Sequence, residues 1–195
     1  GAHTGGNTGV PDVDYILYVA AGPNSAAGNV AWAGMCTVDG NGRPTTGRMN
    51  FSPEYITWGA DNSGVVMVAV HEILHALGFS GTYIDSSDFG TGTGQRATKT
   101  QRGKTVKEVV TPNVIAKAKE YFGCETANGI ELEDEGGAGS AESHFERRIL
   151  RDDIMAAAGG QILSSLTLAA LQDLGHYTAV FDKATPMTFG AGAGC

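Results

Sequence analysis

The chain has 195 residues, 42% of them hydrophobic, enough for one compact domain or two packed lobes and too apolar for global disorder. Glycine, at 29 residues, is about twice its usual ~7% share, and charged residues reach only 17%, which favours a loop-rich fold over a helical bundle. Thirteen Lys and Arg against twenty-one Asp and Glu leave a net charge of −8, arguing against nucleic acid as a partner, and no apolar run approaches the ~20 residues that span a bilayer.

Residues 1–6 (GAHTGG) carry neither the basic nor the apolar region of a signal peptide and no initiating Met, as expected of a processed or excised piece. Residues 13–20 (VDYILYVA) and 30–38 (VAWAGMCTV) are apolar runs bounded by Gly, Pro and Asn and are predicted strands. A turn at 39–42 (DGNG) leads to a shorter strand at 46–52, and the three are expected in one sheet. The one sequon, Asn50-Phe51-Ser52, is followed by Pro53 and is a poor acceptor.

Residues 65–77 (VVMVAVHEILHAL) are rich in valine, yet the length suits a buried helix. Asp61, Asn62 and Ser63 offer N-caps and Gly78 stands where a helix-ending glycine belongs. A helix apolar on nearly all sides is expected inside the protein. From 81 to 105 the chain turns rich in Gly, Thr and Ser and then basic, through Arg96, Lys99, Arg102 and Lys104. A solvated, mobile excursion is the plain expectation, with a substrate or partner contact as the alternative. A helix is predicted at 112–122, with Thr111 as N-cap and Pro112 in its first position. The acidic run 131–135 is expected to be a solvated face, and 136–140 (GGAGS) a flexible loop. A last helix is predicted at 165–174, closed by Gly175.

The sharpest chemical signal is His71-Glu72-Ile73-Leu74-His75. On a helix, positions i and i+4 share one face, so both imidazoles can reach one cation while Glu72 addresses a water on it. Two imidazoles and a carboxylate in an apolar helix carry a desolvation cost that a metal would offset. Catalytic zinc takes three protein ligands, so one more is required. His3, His144 and His176 are the candidates: His3 lies in a glycine-rich terminus, His176 follows a helix end, and His144 follows the permissive GGAGS loop. Cys36, Cys124 and Cys195 have no zinc-type spacing; one disulfide with an unpaired thiol and three reduced, buried thiols are both open. Ser80 lacks the spacing of a nucleophile elbow, and Asp152-Asp153 alone does not establish facing catalytic carboxylates.

The segments 71–80 (HEILHALGFS), 136–144 (GGAGSAESH), 152–155 (DDIM) and 168–177 (LAALQDLGHY) together resemble leishmanolysin, the M8 metalloprotease family of the metzincin clan. The resemblance covers most of the chain from residue 65 onward and is looser through the sheet region. The ordinary metzincin pattern is HExxHxxGxxH; here Gly78 is in place, but Gly81 stands where the third histidine would be. The resemblance implies an insertion after the glycine turn, within which the basic excursion lies, and a late third ligand, which His144 matches. It also implies a methionine beneath the histidines, at Met155, and a Cys124–Cys195 disulfide. Cys36 would pair with a cysteine upstream of this portion of a longer protease.

The expected fold is therefore α/β (α+β) and metzincin-like. A catalytic lobe at 1–80 would hold the sheet and zinc helix. A mostly irregular or helical lobe at 81–195 would bring up His144 and Met155. The expected activity is zinc-dependent endopeptidase cleavage of protein substrates, with Zn²⁺ on His71, His75 and His144 and Glu72 as base. Strand 46–52 is expected as an exposed edge for substrate addition. The implied location is extracellular or at the cell surface, with any membrane anchor outside this chain. The alternative is an adhesion or receptor-binding protein with a structural or vestigial zinc.

Overall fold

The computed structural model describes residues 10–23, 28–56, 62–84 and 96–195. His3, the Asp61 cap and part of the expected excursion (85–95) lie outside them. The architecture is mixed α+β, with two small sheets and few helices.

The first sheet holds β1 (Ile16–Ala21), β2 (Ala31–Val38) and β3 (Pro44–Phe51) in the order β1-β3-β2. β2 and β3 form an antiparallel hairpin whose turn is organised by Asp39, the carboxylate accepting from the Asn41 and Arg43 N–H groups at 2.8 and 3.0 Å. β1 then pairs parallel on the far side of β3. The strand expected as an exposed edge is thus the middle one. Because the hairpin turn and the β1 crossover each claim one side of β3, the edges among the described residues are β1 and β2.

Helix α1 (Ser63–Ala76) packs on β2 and β3. Its first turn is exposed, with Val66 at 55%, and burial sets in around Glu72, Leu74 and Ala76; the expectation of a helix enclosed throughout holds only for this second half. Gly78, at φ 117, takes a backbone conformation that side chains disfavour, turning the chain so that the Phe79 N–H reaches back to the Leu74 carbonyl at 3.0 Å. Two tyrosine hydroxyls finish the helix end: Tyr15 donates to the Ala76 carbonyl (2.7 Å) and Tyr177 to that of Leu77 (2.9 Å). Burial raises the Tyr15 hydroxyl to about 12, so it remains a donor.

After the short α2 (Gly81–Ile84), the basic stretch is ordered as a hairpin rather than solvated loop. β4 (Arg96–Gln101) and β5 (Lys104–Val109) pair antiparallel around Arg102-Gly103, both at positive φ, the geometry of a tight two-residue hairpin turn. β6 (Ile130–Glu131) adds a third strand. The acidic run likewise departs from expectation. Glu131 and Glu133 are buried, and Glu131 is clasped by Arg102 (2.5 Å) and Arg148 (2.9 Å). The basic hairpin and the acidic run neutralise each other, which removes the need for either to be solvated.

Helix α3 (Pro112–Phe122) begins at Thr111 as expected, but the threonine side chain makes no capping bond. Asp173, on helix α5 (Ser165–Asp173), accepts from the Asn113 and Val114 N–H groups, both at 3.0 Å, and so caps α3 from a neighbouring helix. The core lies between these helices and the second sheet: Phe79, Val109, Val114, Ile130, Leu132, Phe145, Ile154, Met155, Leu166 and Leu174 are essentially solvent-free. Short helix α4 (Arg147–Leu150) adds Leu150. Cys124 and Cys195 are disulfide-bonded, with Cα atoms 5.0 Å apart, and the final segment lies along the end of α3 through Gly192 and Gly194 N–H bonds to the Tyr121 and Phe122 carbonyls. Cys36 is a free, exposed thiol. Among the described residues no helix is long and apolar enough to cross a membrane.

Candidate metal centre

The i, i+4 spacing on α1 puts His71 and His75 on one face, their Nε2 atoms 3.1 Å apart. His144 arrives from the loop after the Gly137–Gly139 turn, and its Nε2 stands 3.1 Å from that of His75 and 3.2 Å from that of His71. The three imidazoles therefore converge, whereas His176 lies apart, near Asp39 and Arg43.

Each outer nitrogen is held by a main-chain carbonyl. His71 Nδ1 lies 2.5 Å from the Ile154 oxygen, His75 Nδ1 2.6 Å from that of Phe79, and His144 Nδ1 2.9 Å from that of Ser140. A carbonyl can only accept, so each Nδ1 carries the proton and each Nε2 turns a lone pair inward. Enclosure lowers the basicity of all three: His71 falls to about 4 and His75 to about 3, chiefly through burial, with mutual repulsion adding to both. His144 moves the same way for the same reason. The neutral imidazoles have inward lone pairs about 3 Å apart that repel unless a cation shares them. A tetrahedral ion with nitrogens at ~2.0–2.1 Å imposes separations of ~3.3–3.4 Å, so the donor set and spacing suit zinc.

Met155 is solvent-free in the core. Its turn serves the site through the neighbouring Ile154 carbonyl on His71. Asp153, also solvent-free, fixes that turn by accepting from the Met155 N–H (2.7 Å), the Thr167 hydroxyl (2.7 Å) and the Ser164 hydroxyl. Nothing in the local pattern distinguished Asp153 from a surface acid; the clue was only its place next to the expected methionine turn. Its burial pushes the carboxyl up to about 6.

Glu72 is 7% exposed and lines the same cleft as the histidines, a cavity of about 710 Å³. Burial raises its carboxyl to about 7, opposed by a bond from the Ala33 N–H on β2. One wall of the cleft is β2 from Ala31 to Met35; another is the run 156–160 beyond the methionine turn. A basic carboxylate beside three inward-facing imidazoles, in a cleft edged by a strand, is suited to moving a proton next to a bound carbonyl. A second group of carboxylates, Glu133, Asp134 and Glu146, sits among Arg102, Lys104 and Arg148 and belongs to the charge network of the second sheet.

Comparison with known proteins gives the family. The peptidase M8 (leishmanolysin) model matches residues 2–195. A leishmanolysin homolog of Crithidia fasciculata is 40% identical over 190 residues, and leishmanolysin of Leishmania tropica is 40% identical over 188; each alignment covers 96% of this chain and 28% of the relative. A leishmanolysin-like peptidase of Drosophila melanogaster is 32% identical over 228 residues, covering 96% of this chain and 33% of the relative. The chain thus spans about a third or less of the curated relatives it matches. With the match running essentially from end to end, the chain belongs to the leishmanolysin family of zinc metalloproteases.

Proposed function

We propose that this chain carries the active centre of a zinc-dependent endopeptidase acting on protein substrates. The observation that supports this best is the convergence of the His71, His75 and His144 Nε2 atoms at 3.1–3.2 Å, with the Glu72 carboxylate on the same cleft. The three neutral imidazoles would hold the metal. When bound, the ion supplies Lewis acidity, polarising the scissile carbonyl and easing ionisation of water. Glu72 takes a proton from the attacking water and hands it to the departing amine nitrogen. The Ile154, Phe79 and Ser140 carbonyls keep the imidazoles in the required tautomer throughout. Substrate backbone would align along β2, the edge strand on the cleft, in place of the 46–52 strand, which is central. Division into a lobe at 1–80 and a lobe at 81–195, with the cleft between them, fits this arrangement. The disulfide is in keeping with an extracellular or cell-surface setting.

Glu72→Ala tests the mechanism. A quenched fluorescent peptide should be cleaved by the wild type, inhibited by a chelator and restored by zinc. The variant should keep its zinc and lose roughly 10²–10⁴-fold in kcat. Normal turnover by Glu72→Ala would refute the role given to that carboxylate.

A further inference from the structure

His71 and His75 need only one helical turn to face each other, but His144 is supplied from 69 residues beyond His75. The loop that carries it is held from three directions. Along its backbone, the Glu142 N–H bonds the Glu133 carbonyl (2.8 Å) and the Glu133 N–H bonds the His144 carbonyl (3.0 Å). From the hairpin, Arg96 Nη1 (2.9 Å) and Lys107 Nζ (2.7 Å) both donate to the same Oε2 of Glu142. Arg96 and Lys107 are diagonal neighbours on one face of the β4–β5 pair, so two cations reach one carboxylate, and the Arg96 side chain is only 6% exposed. From beneath, residue 81 meets the loop directly: a Cβ there would stand 2.7 Å from the Glu142 carbonyl oxygen, so only glycine lets the loop seat.

Glu142 is itself held at φ 64, which a non-glycine residue keeps only when its surroundings impose it. The imposing groups are those just named, and His144 follows two residues later. Gly81 also occupies the position where the shorter HExxHxxGxxH spacing would carry a histidine. The residue that would supply the third ligand is thus reduced to a bare seat for the segment that brings one from elsewhere.

We infer that the β4–β5 hairpin is a positioning device for the third metal ligand. Arg96 and Lys107 grip Glu142, Gly81 seats it, and together they set the loop from which His144 reaches His71 and His75. None of the four lines the cleft that holds the histidines; they are positioning residues. The inference rests on the reading of the three histidines as a zinc site.

The test is zinc affinity of the purified protein, measured by competition with a chromophoric chelator, together with the visible absorption of the cobalt(II) form. Glu142→Gln and Gly81→Ala should each weaken zinc binding about 10–100-fold, and the cobalt spectrum should lose intensity as water replaces an imidazole. Glu142→Asp, which keeps the charge, should recover part of the affinity. Lys99→Gln breaks the Lys99–Glu108 pair on the opposite face of the same hairpin and should leave affinity and spectrum as in the wild type. Glu142→Gln changes no backbone requirement and decides the matter should Gly81→Ala not fold. Wild-type affinity and spectrum in Glu142→Gln would overturn the inference while leaving the zinc site intact. A wild type without stoichiometric zinc, or His144→Ala binding as tightly as the wild type, would overturn the zinc reading and this inference with it.

Discussion

Asp153 offers a quantitative handle on how the floor of the site is held. Its carboxyl is solvent-free, and burial moves it from 3.8 to about 6 despite three donors favouring the charged form. A carboxyl raised in the folded state binds its proton more tightly there than in the unfolded chain. Its contribution to stability is therefore complete below the unfolded value and is lost as pH rises through about 6. A displacement of about two units corresponds to roughly 3 kcal/mol, and full burial means that no solvent screening reduces it. Asp153→Asn removes the titration while keeping the shape. Urea unfolding of both proteins in chelator, from about pH 4 to about pH 7, should show the stability difference moving in favour of asparagine by up to about 3 kcal/mol. The histidines and Glu72 titrate in both proteins and cancel. A difference that stays flat, or moves toward the wild type, would mean that the hydrogen-bond donors outweigh desolvation, and the account of this turn would be wrong.

Further tests address other parts of the structure. His144→Ala should lose stoichiometric zinc by elemental analysis while His176→Ala retains it, since His176 is remote from the cluster. Reduction of Cys124–Cys195, which closes a separation of 71 residues, should lower unfolding free energy by up to about 4 kcal/mol in denaturant titrations with and without reductant. Asp173→Ala strips the cap from α3 and should cost on the order of 1–2 kcal/mol, seen as a lower denaturation midpoint with unchanged slope.

What the sequence made legible were features whose cause is local. Helix α1 is written in the HEILH spacing and the glycine after it, though it starts two residues before the expected position, and α3 in Thr111-Pro112, found at the expected bounds. The order of strands was not legible: nothing within 46–52 reveals that β1 pairs on its far side. The 96–109 hairpin was missed because its charges suggested solvent. A local signal did exist, in a run with threonine at alternate positions (98 and 100) and a second with valine at 106 and 109, separated by Arg102-Gly103. Burial of Glu131 had no local signal, because the cations that permit it come from residues 102 and 148. The capping of α3 by Asp173 lies 59 to 60 residues away from the groups it serves, beyond any window reading.

All three imidazoles are oriented by peptide oxygens, those of residues 79, 140 and 154. No replacement of a side chain can delete such an acceptor. The tautomers are therefore encoded in the path of the polypeptide, not in the identity of three orienting residues. Sequence drift at those positions is tolerable so long as the loops keep their course. Damage to the centre from outside must come from changes that redirect the chain, and these can sit far from any histidine.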